Sequence, residues 1–200
     1  MNFVLAIAAA LLAMPAASAA PAWSPTPSAQ RLLGEGQAWS EVSSSTDGAN
    51  LIEAAIDIRA PARTVWSVMN NCSLMKRMVA STTLCRTLQG DQKIGWDVRE
   101  QITKGNFFVP TLRNVVRNDY QPYSLIRFHR VGGDLRIEEG EWRLETLDGG
   151  ATTRVIYINR VAVEILAPGP LVRAGLRRDT AKVLVNLRRE SLAAVMRGGA

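Results

Sequence analysis

The sequence predicts an α+β fold in which an antiparallel sheet is followed by one long closing helix. Three observations predict it. Short runs with period-two alternation recur between turn signals from residue 36 to residue 164. At Ala60-Pro61 the period switches briefly to helical spacing. After Pro168-Gly169-Pro170 it turns helical for good. Two hundred residues, 47% of them hydrophobic, can bury one respectable core but hardly two.

The first segment stands apart from that domain. An apolar run from Phe3 to Leu12, a break at Pro15 and the small residues Ala17-Ser18-Ala19 read as a cleaved secretory signal over residues 1–19. No Lys or Arg precedes the run, so an uncleaved anchor is the competing reading, opposed by the weakly apolar alanines and the proline. The expected destination is an exported, periplasmic one. Residues 20–33 are rich in Pro, Ser and Ala without a period and read as a disordered lead-in. The domain is then expected over 34–197.

Two runs, GQAWSEVSSS and NLIEAAIDIR, flank Thr46-Asp47-Gly48, a good hairpin signal. In the second, Ile52, Ala54, Ile56 and Ile58 alternate with Glu53, Ala55, Asp57 and Arg59, giving one apolar and one mostly wet face. Pro61 suits a first helical turn, and Val65, Val68 and Met69 follow at helical spacing beside Trp66, up to Asn70-Asn71. A second short helix follows in SLMKRMVASTT. Strands are then expected at 84–89, 93–103, 106–117, 124–130, 135–146 and 152–164, joined by short turns as an antiparallel meander. In the last segment Val172, Leu176, Val183, Leu187 and Ala194 share one side of a helix, with Arg178, Lys182 and Arg189 roughly opposite.

Cys72 and Cys85 are the only cysteines. Export favours a disulfide between them, and two buried thiols acting as small hydrophobes are the alternative. A metal site is poorer still, since two Cys and the lone His129 on distant segments fall short of a tetrahedral set. The net charge of +6 sits mostly in residues 171–197, where seven cations face Asp179 and Glu190. That helix either meets anionic headgroups transiently or presents a solvated face. Export and the lack of a basic, aromatic-interleaved motif argue against nucleic acid.

This order of elements resembles the START and pollen-allergen-like superfamily, and within it the polyketide cyclase or coenzyme Q-binding branch of SRPBCC proteins. The residues that carry the likeness are I.I.APARTVW at 56–66, FHRVGGDLRIEEGEWRL at 128–144, TTRVIY at 152–157 and LVNLRRES at 184–191, spread over nearly the whole domain. The resemblance implies a helix-grip fold, in which a strongly curved sheet wraps round the C-terminal helix and leaves a cavity. Pro61 would turn the chain so that two short helices plug one end of the curled sheet.

Alternation then nominates inward residues. Trp96 and Val98 share a face with Ile94, Ile102 and Glu100, and Phe128 shares one with Ile126 and Arg130. Glu100 and Arg130 would pair inside or meet a ligand head group, unless strand irregularities turn them to solvent. Trp142 alternates with Leu144, and Tyr157 with Val155 and Asn159. With Leu176, Val183 and Leu187 from the helix, these form the expected lining of an apolar pocket with a few polar handles.

Catalytic patterns are thin. His129 falls opposite Phe128 and Arg130, and GEGQ at 34–37 and GGDL at 132–135 are turn glycines rather than nucleotide loops. No catalytic residue, metal or cofactor is assigned. The reading is a binding or carrier protein for a lipid, quinone or polyaromatic molecule. The alternative is a cyclase or dehydratase using Glu100 or Tyr157 as acid-base groups, and a third is an interaction module with a filled interior.

Overall fold

In the computed structural model, residues 23–105, 110–162 and 168–198 are described. The chain runs through α1 (Pro27–Gly34), β1 (Trp39–Ser44), β2 (Asn50–Ile58), α2 (Ala62–Met69), α3 (Cys72–Met78), β3 (Thr82–Asp91), β4 (Trp96–Thr103), β5 (Leu112–Gln121), β6 (Leu125–Gly133), β7 (Ile137–Leu147), β8 (Thr152–Ala162) and α4 (Gly169–Gly198). Residues 1–19, read as a signal, lie outside the described residues, as do 106–109 and 163–164 of two expected strands.

Among the described residues, eight strands form one curved antiparallel sheet in the order β1-β2-β8-β7-β6-β5-β4-β3. The chain therefore leaves the sheet after β2, re-enters it at the far edge as β3, and meanders back until β8 closes beside β2. The period change at residue 60 makes that crossing, with α2 and α3 carrying the chain across. Pro61 is the N-cap of α2 rather than its first residue, and no side chain caps it. Asn71 caps α3, accepting from the Ser73 N–H at 2.9 Å. The Cys72–Cys85 disulfide ties α3 to the edge strand β3.

The 30-residue α4 packs on β1, β2, α2 and α3. Its buried Leu184 and Leu187 meet Ile56, Ile58, Val65, Trp66 and Val155 in the main core. Removing such side chains from water contributes about 1.5–3 kcal/mol each. Glu190, also buried, is held by Arg77 of α3 at 3.0 Å, and the Asn186 amide donates to the Met78 carbonyl at 2.9 Å. These contacts fix the middle of α4 to the short helices.

Residues 27–33 differ from the disordered reading. Thr26 accepts from the Ala29 N–H at 3.2 Å and Pro27 occupies the start of α1, so the T-P-S-A sequence is a helix start signal. Ala29 and Leu33 pack with Trp39, Ala55 and Ile156 in a second core. The face of β2 expected to be mostly wet is thus covered by α1 at Ala55, and the folded unit begins before residue 34.

Gly140 of β7 sits opposite Phe128 of β6 and Asn159 of β8. A Cβ there would lie 2.1 Å from the Ile158 carbonyl oxygen and 2.9 Å from the Phe128 ring. The absent side chain lets the strands close up and brings the Phe128 ring over the gap.

Candidate functional site

Between the concave face of the sheet and α4 lies a cavity of about 410 Å³. Strands β4 to β8 form its wall, α2 and α3 supply Met69, Met75 and Met78, and α4 supplies Leu176, Val183 and Leu187. Methionine suits such a lining because its unbranched thioether adapts to guests of irregular shape. The cavity is large enough for a small lipid-like or polycyclic molecule.

An aromatic stack forms one wall. The Tyr157 ring lies 4.0 Å from the Trp142 ring and 6.1 Å from that of Phe128, all near parallel. Register explains it, since Trp142 pairs with Tyr157 across β7 and β8 and Phe128 faces Gly140 one step along. The Asn159 amide donates to the Tyr157 hydroxyl oxygen at 2.7 Å. Burial pushes the Tyr157 hydroxyl well above the usual phenol range, so it is a neutral donor and acceptor.

A polar layer lies on β4 and β5. The Arg99 guanidinium donates to Asp97 at 2.8 Å, and the Asn118 amide donates to the other Asp97 oxygen at 2.8 Å. All three residues are buried, and each Asp97 oxygen has a partner. Mutual pairing is what makes burial of both charges tolerable. Beyond this set, Asn114 and Glu138 border the cavity. Burial pushes the Glu138 carboxyl up to about 7, while the neighbouring Asn114 amide and the Arg130 charge pull it down.

Seven of the expected lining residues come together here: Phe128, Trp142, Tyr157, Asn159, Leu176, Val183 and Leu187. Four do not. Trp96, Val98 and Glu100 belong to the outward set of β4, because Arg99, Gln101 and Thr103 are the ones that face the cavity. Trp96 lies under the Arg117 guanidinium at 4.5 Å. Glu100 accepts from Arg86 at 2.6 Å and from Arg113 at 2.5 Å, both arginines half-exposed. Arg113 first and Arg86 second hold its carboxyl below the usual carboxylate range. The expected inward Glu100–Arg130 pair is therefore absent. Arg130 is exposed at the rim and donates to the Gly133 carbonyl at 2.9 Å, a cation turning its head to water.

In β4 alternation gives the wrong phase because Trp96 and Val98 face outward with Glu100, while the polar Asp97, Arg99 and Gln101 face inward. Arg99 escapes the alternation rule for that reason, Asn114 and Asn118 because polar residues of β5 also face the cavity, and Glu138 because EE at 138–139 looks like a solvated acidic pair. A signal for Glu138 was present, since it shares the phase of Trp142 two steps along at Gly140. His129 is exposed, on the face expected for it. Among the described residues, no three His, Cys, Asp or Glu side chains are grouped to hold a metal ion.

Residues 58–188 match a family model described as polyketide cyclase/dehydrase and lipid transport. Among curated proteins, no sequence matches. Solved structures with the same fold include the Zhui aromatase/cyclase of Streptomyces sp. R1128, at 19% identity and TM-score 0.61, covering 74% of this chain and 96% of that one. Human StAR-related lipid transfer protein 5 aligns at 11% identity and TM-score 0.64, covering 78% and 83%. A STAR-related lipid transfer protein of Xanthomonas axonopodis aligns at 12% and 0.60, covering 76% and 98%. At these identities the likeness is one of fold, and it identifies the sheet, the short helices and α4 as a helix-grip architecture.

Proposed function

Because this chain belongs to the polyketide cyclase/dehydrase and lipid transport family, we propose that it shelters a hydrophobic small molecule, a lipid, quinone or polyaromatic, in an exported compartment. The observation that carries this reading is the cavity of about 410 Å³ walled by the Phe128–Tyr157–Trp142 stack and closed by α4. Each methylene moved from water into it contributes about 0.8 kcal/mol, so affinity needs no chemistry. Export is supported by the apolar leader and is compatible with the Cys72–Cys85 disulfide. The exposed Arg177, Arg178 and Lys182, with Leu171 67% exposed at the start of α4, suit brief contact with an anionic bilayer during loading.

Native mass spectrometry of gently purified protein tests the reading. It is expected to reveal a bound or loadable apolar guest, lost in Val183→Trp, which fills the cavity from α4. A wild-type protein that takes up no guest overturns it.

The cyclase reading keeps one observation in its favour. Glu138, with its carboxyl near neutrality, and the Tyr157 hydroxyl border one cavity, which suits general acid-base work. The Glu100 version fails, because Glu100 faces away. Turnover of a poly-β-ketone probe, abolished in Glu138→Gln, would establish the enzyme, and binding without turnover would leave the carrier.

A further inference from the structure

Three buried side-chain oxygens bordering the cavity have no hydrogen-bond partner among the described residues: Asn114 Oδ1, Glu138 Oε2 and Asn159 Oδ1. They come from β5, β7 and β8. The β6–β7 pairing ends at His129 with Glu139, and beyond it Asn114 stands beside Glu138. Buried polar atoms without partners are uncommon, and several at one end of an apolar hollow mark a place where something else is meant to bond.

We propose that Asn114, Glu138, Tyr157 and Asn159 form a head-group site that selects guests whose polar end is an uncharged hydroxyl or carbonyl. The inference rests on the carrier reading and narrows it to a ligand class.

The donors and acceptors present define that class. Tyr157 Oη accepts from the Asn159 amide, which leaves its own O–H to donate. The two amide oxygens accept, and a neutral Glu138 both donates and accepts. A hydroxyl uses both kinds of group, and a carbonyl uses the donors. The stack of Phe128 and Trp142 fixes the Tyr157 ring, so the donor is positioned before the guest arrives.

Charge excludes the alternatives. The titratable and charged groups facing Glu138 are Arg130 from β6 and Tyr157 from β8, with Arg99 of β4 and Asp179 of α4 across the same cavity. Arg99 is committed to Asp97, and Arg130 donates to the Gly133 carbonyl at the rim. A carboxylate or phosphate head would have, among the described residues facing Glu138, only the water-exposed Arg130 at the rim to offset its own desolvation, because Arg99 is paired with Asp97. An ammonium would need Glu138 ionised against its burial and would sit in the field of Arg130.

Decanol, decanoate and decylamine share one tail and differ in head group, so their competition against a fluorescent apolar dye isolates the head-group site. At about pH 6.5, wild-type protein is expected to bind decanol at least about tenfold tighter than either charged probe. Glu138→Gln is expected to keep that preference, whereas Glu138→Leu is expected to shrink it to within about twofold. Asn159→Val serves as the second removal should the leucine variant lose its circular dichroism signature. Equal binding of all three probes, or a preference that survives both removals, overturns the head-group site and leaves the carrier standing. Binding of none of the probes or the dye overturns both.

Discussion

The Thr153 hydroxyl of β8 donates to the Ala60 carbonyl at 2.7 Å, and both residues are fully buried. This bond anchors the turn at which the chain leaves the sheet for α2, so a side chain from the last strand holds the exit from the second. Thr153→Val keeps the shape and removes the donor, leaving the Ala60 carbonyl unsatisfied. A loss of about 1–3 kcal/mol is expected, read from the urea midpoint.

The disulfide closes a loop of 13 residues in sequence separation between α3 and the edge strand β3. On the chain-entropy model such a loop contributes about 3 kcal/mol. Urea unfolding with and without reductant is expected to differ by about that amount, and the Cys72→Ala, Cys85→Ala double variant is expected to match the reduced protein. An unchanged midpoint would mean that the bridge does not form in solution.

The two ends of the site were legible to different degrees, and the reason is the direction in which apolar residues point. Trp142, Tyr157 and the α4 leucines are legible because alternation and helical spacing place apolar side chains on the buried face. In β4 the same rule gave the wrong phase. Asp97 and Arg99 go inward because they satisfy each other and Asn118, while Trp96 stays outside under Arg117. A polar pair that needs a partner from another strand is invisible to a one-strand pattern. The sheet order and the crossing from β2 to β3 were likewise beyond the pattern, although the break at Pro61 that makes the crossing was visible.

Two glycines should respond oppositely to alanine. At Gly140 the new Cβ would meet the Ile158 carbonyl at 2.1 Å, backbone that cannot swing away, and a loss above about 3 kcal/mol or failure to fold is expected. At Gly175, within α4, nothing lies within 4 Å of the added carbon. There alanine removes only the entropic cost of a helical glycine, and a gain of about 0.5–1 kcal/mol is expected. Thermal unfolding of both variants checks the pair.

Burial lifts the Glu138 carboxyl from its ordinary 4.5 to about 7, so between those values the folded chain holds a proton that the unfolded chain has released. Its contribution to stability is full below about pH 4.5, falls as pH rises through about 7, and is constant above, a total of about 3 kcal/mol. Glu100 acts in the opposite sense. Arg113 and Arg86 hold its carboxyl down, so its contribution is present above the ordinary carboxylate range and is lost as pH falls through the lowered value. Glu138→Gln is therefore expected to flatten the decline in urea midpoint between about pH 4.5 and about pH 7 while leaving the acid limb intact. At the alkaline end the variant should be the more stable protein, because the carboxylate that the cavity charges against its burial is gone. An identical decline in both proteins would mean that Glu138 is hydrated in the empty cavity.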